Sequence, residues 1–231
     1  MLKKIIDCLI VLFVLLVIYH LYIYKDVFYL TSKLNFVNEN GYNVAKYFDE
    51  VVEQRIALKY IKKDDVVLEL GGRYGVVSAI INSILDNKTN HVVVDPDETI
   101  ICALKTNRDT NGFQYHILNK YISNNSKKIN YDGYATKLIN EENNINDDKK
   151  ISYEEFKKLY PLKFNVLVAD CEGCLCEFIE LMKDDIKLYN KILFEADCQE
   201  DCDYIKLIDI LKSHGFRLIE NNSNFVYVFM K

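Results

Sequence analysis

The stretch Val66-Val67-Leu68-Glu69-Leu70-Gly71-Gly72-Arg73-Tyr74-Gly75 decides the fold of this chain. Its first half is apolar except for one acidic residue, which is typical of a short strand buried on both faces of a sheet. Three glycines follow, and an apolar-rich run at helical spacing begins directly after Gly75. Glycine permits unusual backbone conformations and leaves room for a ligand beside the backbone. The stretch therefore predicts a strand, a glycine turn and a helix, with a small-molecule cleft at the turn.

The composition indicates one sizeable domain with a short additional segment. The chain has 231 residues, of which 50% are apolar and 27% are charged, and this length suffices for a well-buried core. The formal net charge is −5. Because nucleic-acid binding depends on basic patches that neutralise phosphates, the composition predicts no nucleic-acid partner.

Residues 1–24 are predicted to form a transmembrane anchor. Cys8 to Tyr24 contains no Asp, Glu, Lys or Arg, and as a helix it would rise about 25 Å, close to the ~30 Å thickness of a hydrocarbon core. Two isoleucines extend the run, so residues 5–24 are expected to contact the lipid bilayer. A cleaved signal peptide is an alternative, but it needs small residues after the apolar run, and none are present there. A buried helix is a further alternative.

The rest of the chain divides into a stalk, residues 25–43, and a domain, residues 44–231. The domain is expected to begin with a helix, because apolar residues recur at helical spacing between Val44 and Tyr60. Lysines are few on both sides of the predicted span. Their balance slightly favours an N-terminus on the inner side, and it leaves open which side of the membrane the domain occupies.

Strands alternate with helices along the domain, which is typical of an α/β fold with a mostly parallel sheet. Strands are predicted over residues 66–70, 91–96, 113–118, 164–169, 191–194, 216–220 and 224–230. The last two are too close in sequence for a crossover helix, so they should form an antiparallel hairpin. Residues 120–150 are polar and are predicted to form an excursion or flexible loop.

Acidic residues stand near the carboxyl ends of the predicted parallel strands. They are Glu69, Asp95, Asp170 with Glu172, and Glu195. Ligands of such sheets bind at this edge, where the strand order reverses. The turn Gly71 to Gly75 lacks the G-x-G-x-x-G spacing of dinucleotide sites, and an adjacent carboxylate would repel a pyrophosphate. The same carboxylate would attract the ammonium and sulfonium of S-adenosylmethionine. A nicotinamide oxidoreductase is kept as an alternative.

These motifs resemble those of class I S-adenosylmethionine-dependent methyltransferases and, in finer detail, those of the FkbM-like group. The first motif is carried by residues 69–75. The group's acid-Pro-x-Pro, Leu-x-x-Asn-x-x-x-Asn and Asp-x-Glu-Gly segments are matched by Asp95-Pro96-Asp97, by Leu104, Asn107 and Asn111, and by Asp170-Cys171-Glu172-Gly173. The chain departs from the group at Glu69, Gly72-Arg73 and Asp97, where the group has Asp, Ala-Asn and a second Pro.

The resemblance implies a Rossmann-like, seven-stranded, mostly parallel sheet with a C-terminal antiparallel hairpin. It also implies a membrane-tethered enzyme that transfers a methyl group from S-adenosylmethionine to a hydroxyl of a glycan or small molecule, with no need of a metal. The alternative from another class is a catalytically silent, membrane-anchored binding scaffold with the same fold.

The resemblance further implies a cofactor site at the first two strands. Gly71, Gly72 and Gly75 would admit the methionine part of the cofactor, with Glu69 near its ammonium group. Asp95 would accept the ribose hydroxyls, and it could also cap the run that begins at the next residue.

On the acceptor side, Asp170 and Glu172 would lie where the methyl group meets its acceptor. One of these carboxylates would position a hydroxyl and take its proton. Alternatively, Asp170 only holds the amino group of the cofactor and Glu172 caps the following helix. Glu195 is a candidate for a further acceptor-side ligand.

Five cysteines follow the predicted fourth and fifth strands of the sheet. They are Cys171, Cys174, Cys176, Cys198 and Cys202. Their spacing lacks the paired C-x-x-C pattern of a zinc site. In an oxidising compartment a disulfide from Cys198 to Cys202 or to Cys174 is plausible, whereas in a reducing compartment these would be ordinary thiols. The sequence leaves these possibilities open.

Overall fold

The computed structural model describes residues 2–46, 50–132, 135–140, 148–223 and 225–231. Its strands are β1 (Val67–Leu70), β2 (His91–Val94), β3 (His116–Leu118), β4 (Tyr121–Ile122), β5 (Lys127–Asp132), β6 (Ala135–Asn140), β7 (Lys150–Ile151), β8 (Val166–Ala169), β9 (Lys191–Glu195), β10 (Arg217–Asn222) and β11 (Val226–Met230). Its α-helices are α1 (Leu2–Thr31), α2 (Val51–Tyr60), α3 (Val76–Ile84), α4 (Ile101–Thr110), α5 (Tyr153–Leu159), α6 (Leu175–Leu181) and α7 (Tyr204–Ser213).

Seven of the strands form one sheet in the order β10-β11-β9-β8-β1-β2-β3. The strands from β9 to β3 are parallel to their neighbours, and β11 is antiparallel to both β9 and β10. The prediction of a mostly parallel, seven-stranded sheet with a C-terminal antiparallel pair is confirmed. The strand order reverses between β1 and β8, which is where ligands bind in sheets of this kind.

Strand β1 is buried on both faces because helices cover both sides of the sheet. Leu68 and Leu70 pack into an apolar cluster with residues of α5, α6 and α7, whereas Val67 packs with α2 and α3 on the other face. Burial of each such side chain stabilises the fold by about 1.5–3 kcal/mol relative to exposure. Side chains alternate along a strand, so Glu69 lies on the same face as Val67, beneath the helices.

The turn after β1 requires glycine because it lies directly on the backbone of β8. Gly71 has a φ of 84°, and a Cβ at this position would lie 1.6 Å from the carbonyl oxygen of Asp170. No side chain can be accommodated at that separation. The turn is therefore held against the end of β8, whereas the sequence pattern predicted only that glycine leaves room for a ligand.

Helix α1 contains the predicted anchor. Within the described part of the chain, no single helix meets the length and apolarity needed to cross a bilayer, but Ile5–Tyr19 and Leu21–Thr31 meet these requirements together, joined at a bend of 41°. Large apolar side chains in the first part of α1 are exposed, with Phe13 at 67%. By contrast, Val27 is buried, and Leu30 joins the apolar cluster around α2. The end of α1 is thus part of the domain.

The segment predicted as a stalk also packs on the domain, which corrects that expectation. Phe36 is buried, and two asparagines, one in α4 and one at its C-cap, bind the backbone of this segment. Asn107 accepts from the N–H of Val37 at 2.8 Å and donates to its carbonyl at 2.9 Å. Asn111 binds the N–H and carbonyl of Asn35 in the same way. These side chains replace the strand partner that residues 35–37 would otherwise need.

Residues 120–150 contain strands outside the central sheet, so the described part of this range fits the alternative of an excursion and not that of a flexible loop. Strands β5 and β6 pair as an antiparallel hairpin, and β4 pairs in parallel with β7. The range is rich in Lys, Asn and Asp, so its composition resembles that of a polar linker. The helix expected from Val44 begins at Val51, and residues 47–49 lie outside the described residues.

We expect Asn107→Ala to destabilise the protein by about 1–3 kcal/mol, because it leaves buried backbone groups without partners. Asn107 is 2% exposed and also donates to the carbonyl of Tyr74. Thermal unfolding measures the loss, and hydrogen exchange should show faster exchange at the Val37 amide. Asn111→Ala is the matched control. The side chain of Asn111 is less buried than that of Asn107, so its removal should destabilise the protein less. Equal costs for both variants would contradict this assignment.

Candidate active site

A cavity of about 800 Å³ lies at the carboxyl ends of β1, β2, β8 and β9. This volume is within the range of small-molecule sites, ~300–1,000 Å³. Of the residues singled out from the sequence, the walls contain Gly71, Gly72, Asp95, Asp170, Glu172 and Glu195. The fold therefore brings residues that follow four different strands to one cavity at the point where the strand order reverses.

Asp95 holds the glycine turn in place. One carboxylate oxygen accepts from the backbone N–H groups of Gly72 and Arg73, both at 2.9 Å, and the other accepts from the N–H of Asp97 at 2.9 Å. Burial raises the pKa of Asp95, and these three hydrogen bonds oppose that increase. Asp95 thus lies in the cavity wall and determines the shape of the turn. It does not cap α4, whose N-cap is Ile100.

Glu69 and Gly75 lie outside the walls of the large cavity, which corrects the positions expected for them. The carboxylate of Glu69 is buried and lies 2.7 Å from Nε2 of His91. A Cβ at Gly75 would lie 2.7 Å from the hydroxyl of Tyr115 and 2.8 Å from Leu104. Gly75 therefore permits the packing of α3 against α4 and β3. Direct contact between Glu69 and a cofactor ammonium is not supported by this geometry.

Three carboxyl groups form an acidic cluster in and beside the cavity. One oxygen each of Asp170, Glu195 and Asp197 lies within 4.8 Å of the others, so together they could bind a cation. Burial and the charges of Asp197 and Glu53 raise the pKa of Asp170 to about 8. Burial and the charges of Asp170 and Glu53 raise the pKa of Glu195 to about 9. The sequence indicated two of these residues but not Asp197, which lies beyond the predicted strand.

Glu172 has a left-handed backbone conformation in the loop after β8. Its φ is 53°, and its carboxylate accepts from the thiol of Cys198 at 3.0 Å. The N–H of Gly173 donates to Asp197 at 3.2 Å. The N-cap position of α6 is occupied by Cys174, so the alternative role of Glu172 as a helix cap is wrong.

Four of the five clustered cysteines form two disulfides, Cys171–Cys174 and Cys176–Cys202. The pairings considered from the sequence, Cys198 with Cys202 or with Cys174, are wrong, and Cys198 is a free thiol. Paired sulfurs also exclude the zinc alternative for these four residues, because zinc ligands are thiolates. The sequence could not decide the pairing because Cys176 and Cys202 are 26 residues apart and meet only where α6 packs against the loop before α7.

The β5–β6 hairpin contributes a wall of the cavity that sequence reasoning missed. Its side chains Lys127, Thr136 and Leu138 line the cavity. Lys127 forms an ion pair with Glu177 of α6 at 2.6 Å, and the hydroxyl of Thr136 donates to Asp97 at 2.7 Å. The hairpin is thus fastened both to α6 and to the loop after β2.

The segment between α1 and α2 contributes another wall. Glu39 lines the cavity, and its carboxylate accepts from the hydroxyl of Tyr74 at 2.6 Å. Burial, together with this hydrogen bond, raises the pKa of Tyr74. No motif in the sequence indicated Glu39, because the contact depends on the packing of residues 35–37 on α4.

No family model matches the sequence, and no curated protein matches it. Similar chain paths occur among solved structures. Precorrin-6Y C5,15-methyltransferase of Geobacter metallireducens is 12% identical, over 81% of this chain and 91% of that chain, with a TM-score of 0.46. An rRNA methylase of Streptococcus thermophilus is 8% identical, over 78% of this chain and 94% of that chain, with a TM-score of 0.49. TrmK of M. capricolum, solved with S-adenosylhomocysteine, is 12% identical, over 76% of this chain and 65% of that chain, with a TM-score of 0.44. These similarities concern the chain path alone.

The acidic cluster predicts that the ligand-free protein loses stability as the pH rises. The folded state holds protons on Asp170 and Glu195 up to about pH 8 and 9, whereas unfolded carboxyl groups release theirs near pH 4. Between about pH 4 and about pH 9, the folded state therefore binds more protons than the unfolded state. The free energy of unfolding falls with rising pH as a result. Thermal unfolding at pH 6 and pH 9 measures the change.

Asp170→Asn should reduce this pH dependence and raise the melting temperature at pH 9, because it removes one of the repelling charges. Asp209→Asn is the matched control, since Asp209 is an exposed acid of α7 with 73% side-chain exposure. A protein whose stability is unchanged from pH 6 to pH 9 would contradict the assignment.

Proposed function

We propose that this protein is a membrane-anchored, S-adenosylmethionine-dependent methyltransferase of the FkbM-like group. The observation that carries the proposal is the shared cavity of Asp95, Asp170 and the Gly71–Gly72 turn at the switch point of the sheet. The resemblance of the motifs names the group. The two carboxylates and the turn are spaced along three adjacent strand ends, which suits an extended ligand lying across them.

The charge of the cavity supports a cationic cofactor. Acidic residues outnumber basic ones among the described residues of its walls, where the basic residues are Arg73 and Lys127, and Lys127 is paired with Glu177. Burial and the repulsion between neighbouring carboxylates raise the pKa of Asp170 and Glu195. An ammonium and a sulfonium would relieve this repulsion, whereas a pyrophosphate would add to it. The same argument disfavours the nicotinamide alternative.

The cavity also suits a role for Asp170 in proton transfer. When bound, S-adenosylmethionine supplies an electrophilic methyl group. Burial and neighbouring carboxylates raise the pKa of Asp170 to about 8 in the ligand-free protein, and the positive charge of the bound cofactor would lower it toward neutral pH, where a general base is most effective. Asp170 would take the proton of an acceptor hydroxyl, and Glu172 and Glu195 would hold the acceptor in place. Positioning of the acceptor would supply much of the rate. The acceptor we favour is a hydroxyl of a glycan or small molecule.

The location we propose is a membrane, with residues 5–24 in the bilayer. The exposed apolar side chains of α1 support this, since a large exposed apolar surface favours lipid or protein contact. The two disulfides favour a domain in an oxidising compartment, in agreement with the slight preference for an N-terminus on the inner side.

Binding of S-adenosylmethionine to the detergent-solubilised full chain tests the cofactor, and isothermal calorimetry measures it. We expect binding by the wild type, and Asp95→Ala should weaken it about tenfold or more, because a hydrogen bond to a charged acceptor contributes about 1.5–3 kcal/mol. Asp86→Ala, which removes an exposed acid before β2, is the control and should bind like the wild type. Thermal unfolding of each variant separates lost binding from lost folding.

The alternatives give different results in the same experiment. A silent scaffold need not bind S-adenosylmethionine, and an oxidoreductase would bind NADH instead. If the folded wild type binds neither compound, both enzymatic functions are wrong. If it binds S-adenosylmethionine, comparison of methylated glycans, lipids and proteins with and without the gene identifies the acceptor.

Membrane attachment is tested by washing cell membranes with alkaline carbonate. The wild type should remain with the membranes, and Leu12→Lys with Leu16→Lys should release it, because each central lysine costs about 2.5–3.5 kcal/mol on insertion. Ile205→Lys is the control, since Ile205 is a 79% exposed apolar residue of the domain. Release of the wild type, or a mature chain that lacks the first 24 residues by mass spectrometry, would overturn the anchor.

A further inference from the structure

A disulfide lies in the wall of the cavity, directly after the residue assigned to proton transfer. Cys171 and Cys174 both line the cavity, and both are half-buried. Their bond closes a ring of four residues that follows Asp170 without an intervening residue. A change in this bond therefore acts on the acceptor side of the cavity.

The ring holds two residues in left-handed backbone conformations. Glu172 has a φ of 53° and Gly173 a φ of 85°. Glycine adopts this conformation readily, but for a glutamate it is unfavourable and persists only where the surroundings enforce it. The N–H of Cys174 also donates to the carbonyl of Cys171 at 3.2 Å, so the disulfide and one backbone hydrogen bond close the same turn.

The second disulfide has a different environment. Cys176–Cys202 joins residues 26 positions apart, and Cys202 is 2% exposed. Closing a long loop restricts the unfolded chain more than closing a short one, and burial limits the access of a thiol. Cys176–Cys202 therefore has the properties of a structural disulfide. Cys171–Cys174, which closes a short loop and is accessible from the cavity, has those of a disulfide that can be reduced in the folded protein.

We propose that Cys171–Cys174 is a redox-active disulfide that controls the acceptor side of the cavity. The control of methylation rests on the function proposed above, but the redox activity does not. A dithiol reductant attacks one of the two sulfurs, the S–S bond breaks, and two electrons and two protons pass to the pair of cysteines. The reductant leaves as its own disulfide. Glu172 is then free to leave the left-handed conformation, which moves its carboxylate away from the thiol of Cys198 and alters the wall beside Asp170.

The first test measures the order of reduction and needs no cofactor. The full chain in detergent is equilibrated with mixtures of reduced and oxidised dithiothreitol and alkylated with iodoacetamide, and modified cysteines are identified by mass spectrometry. We expect Cys171 and Cys174 to be alkylated at ratios where Cys176 and Cys202 remain joined. Hydrogen exchange should become faster at the amide of Cys174 in the same samples. Simultaneous reduction of both disulfides, or an unchanged exchange rate at Cys174, overturns the proposal.

The second test measures the consequence for the cavity by calorimetry with S-adenosylmethionine. Selective reduction should raise the Kd about fivefold or more, the lower end of typical coupling between linked sites. Cys171→Ser with Cys174→Ser should have the raised Kd without reductant and should not respond to it. Cys198→Ser is the control, because serine keeps a donor for Glu172, and this variant should respond like the wild type.

The two tests separate failure of this inference from failure of the proposed function. A wild type that binds S-adenosylmethionine with the same Kd before and after selective reduction overturns control by the disulfide and leaves the methyltransferase assignment standing. A wild type that binds none in either state overturns the assignment, and the alkylation and exchange results then decide on redox activity by themselves.

Discussion

The contact between the Gly71 backbone and the carbonyl of Asp170 is the constraint on which this site depends. With no Cβ at position 71, the turn after β1 can lie directly on the end of β8. The backbone N–H groups of Gly72 and Arg73 then donate to the carboxylate of Asp95 at the end of β2. One close approach thus joins three strand ends and leaves a cavity between them. A side chain at this position would separate β1 from β8 and open the wall.

The site is formed at the expense of electrostatic stability. Carboxyl groups that could be separated are held close together in a buried place, and their pKa values rise as a result. The rest of the fold stabilises the arrangement through apolar packing on both sheet faces and through well-paired ions elsewhere, such as the buried pair of Asp65 with Lys191. Local repulsion of this kind is common where a protein binds a cation or transfers a proton.

Elements from outside the central sheet complete the cavity. The segment after α1 contributes Glu39 and is bound to α4 by Asn107 and Asn111. The β5–β6 hairpin adds Lys127 and Thr136 and is fastened by its partners on α6 and after β2. Both elements connect regions far apart in sequence to the same walls, so the cavity depends on tertiary contacts as well as on the ends of the strands.

The sequence by itself determined the sheet and four of the nine acidic residues in the described walls of the cavity. Strands buried on both faces must be continuous apolar runs, and glycines and acids at their ends mark the edge where ligands bind. Only the tertiary structure decided the direction of Glu69, because a strand apolar on both faces contains no signal for which face an acid occupies. It also decided the cysteine pairing, the packing of residues 35–37 and the hairpin wall. The Cys176–Cys202 pairing, the packing of residues 35–37 and the docking of the hairpin depend on contacts between residues distant in sequence, which local patterns do not encode.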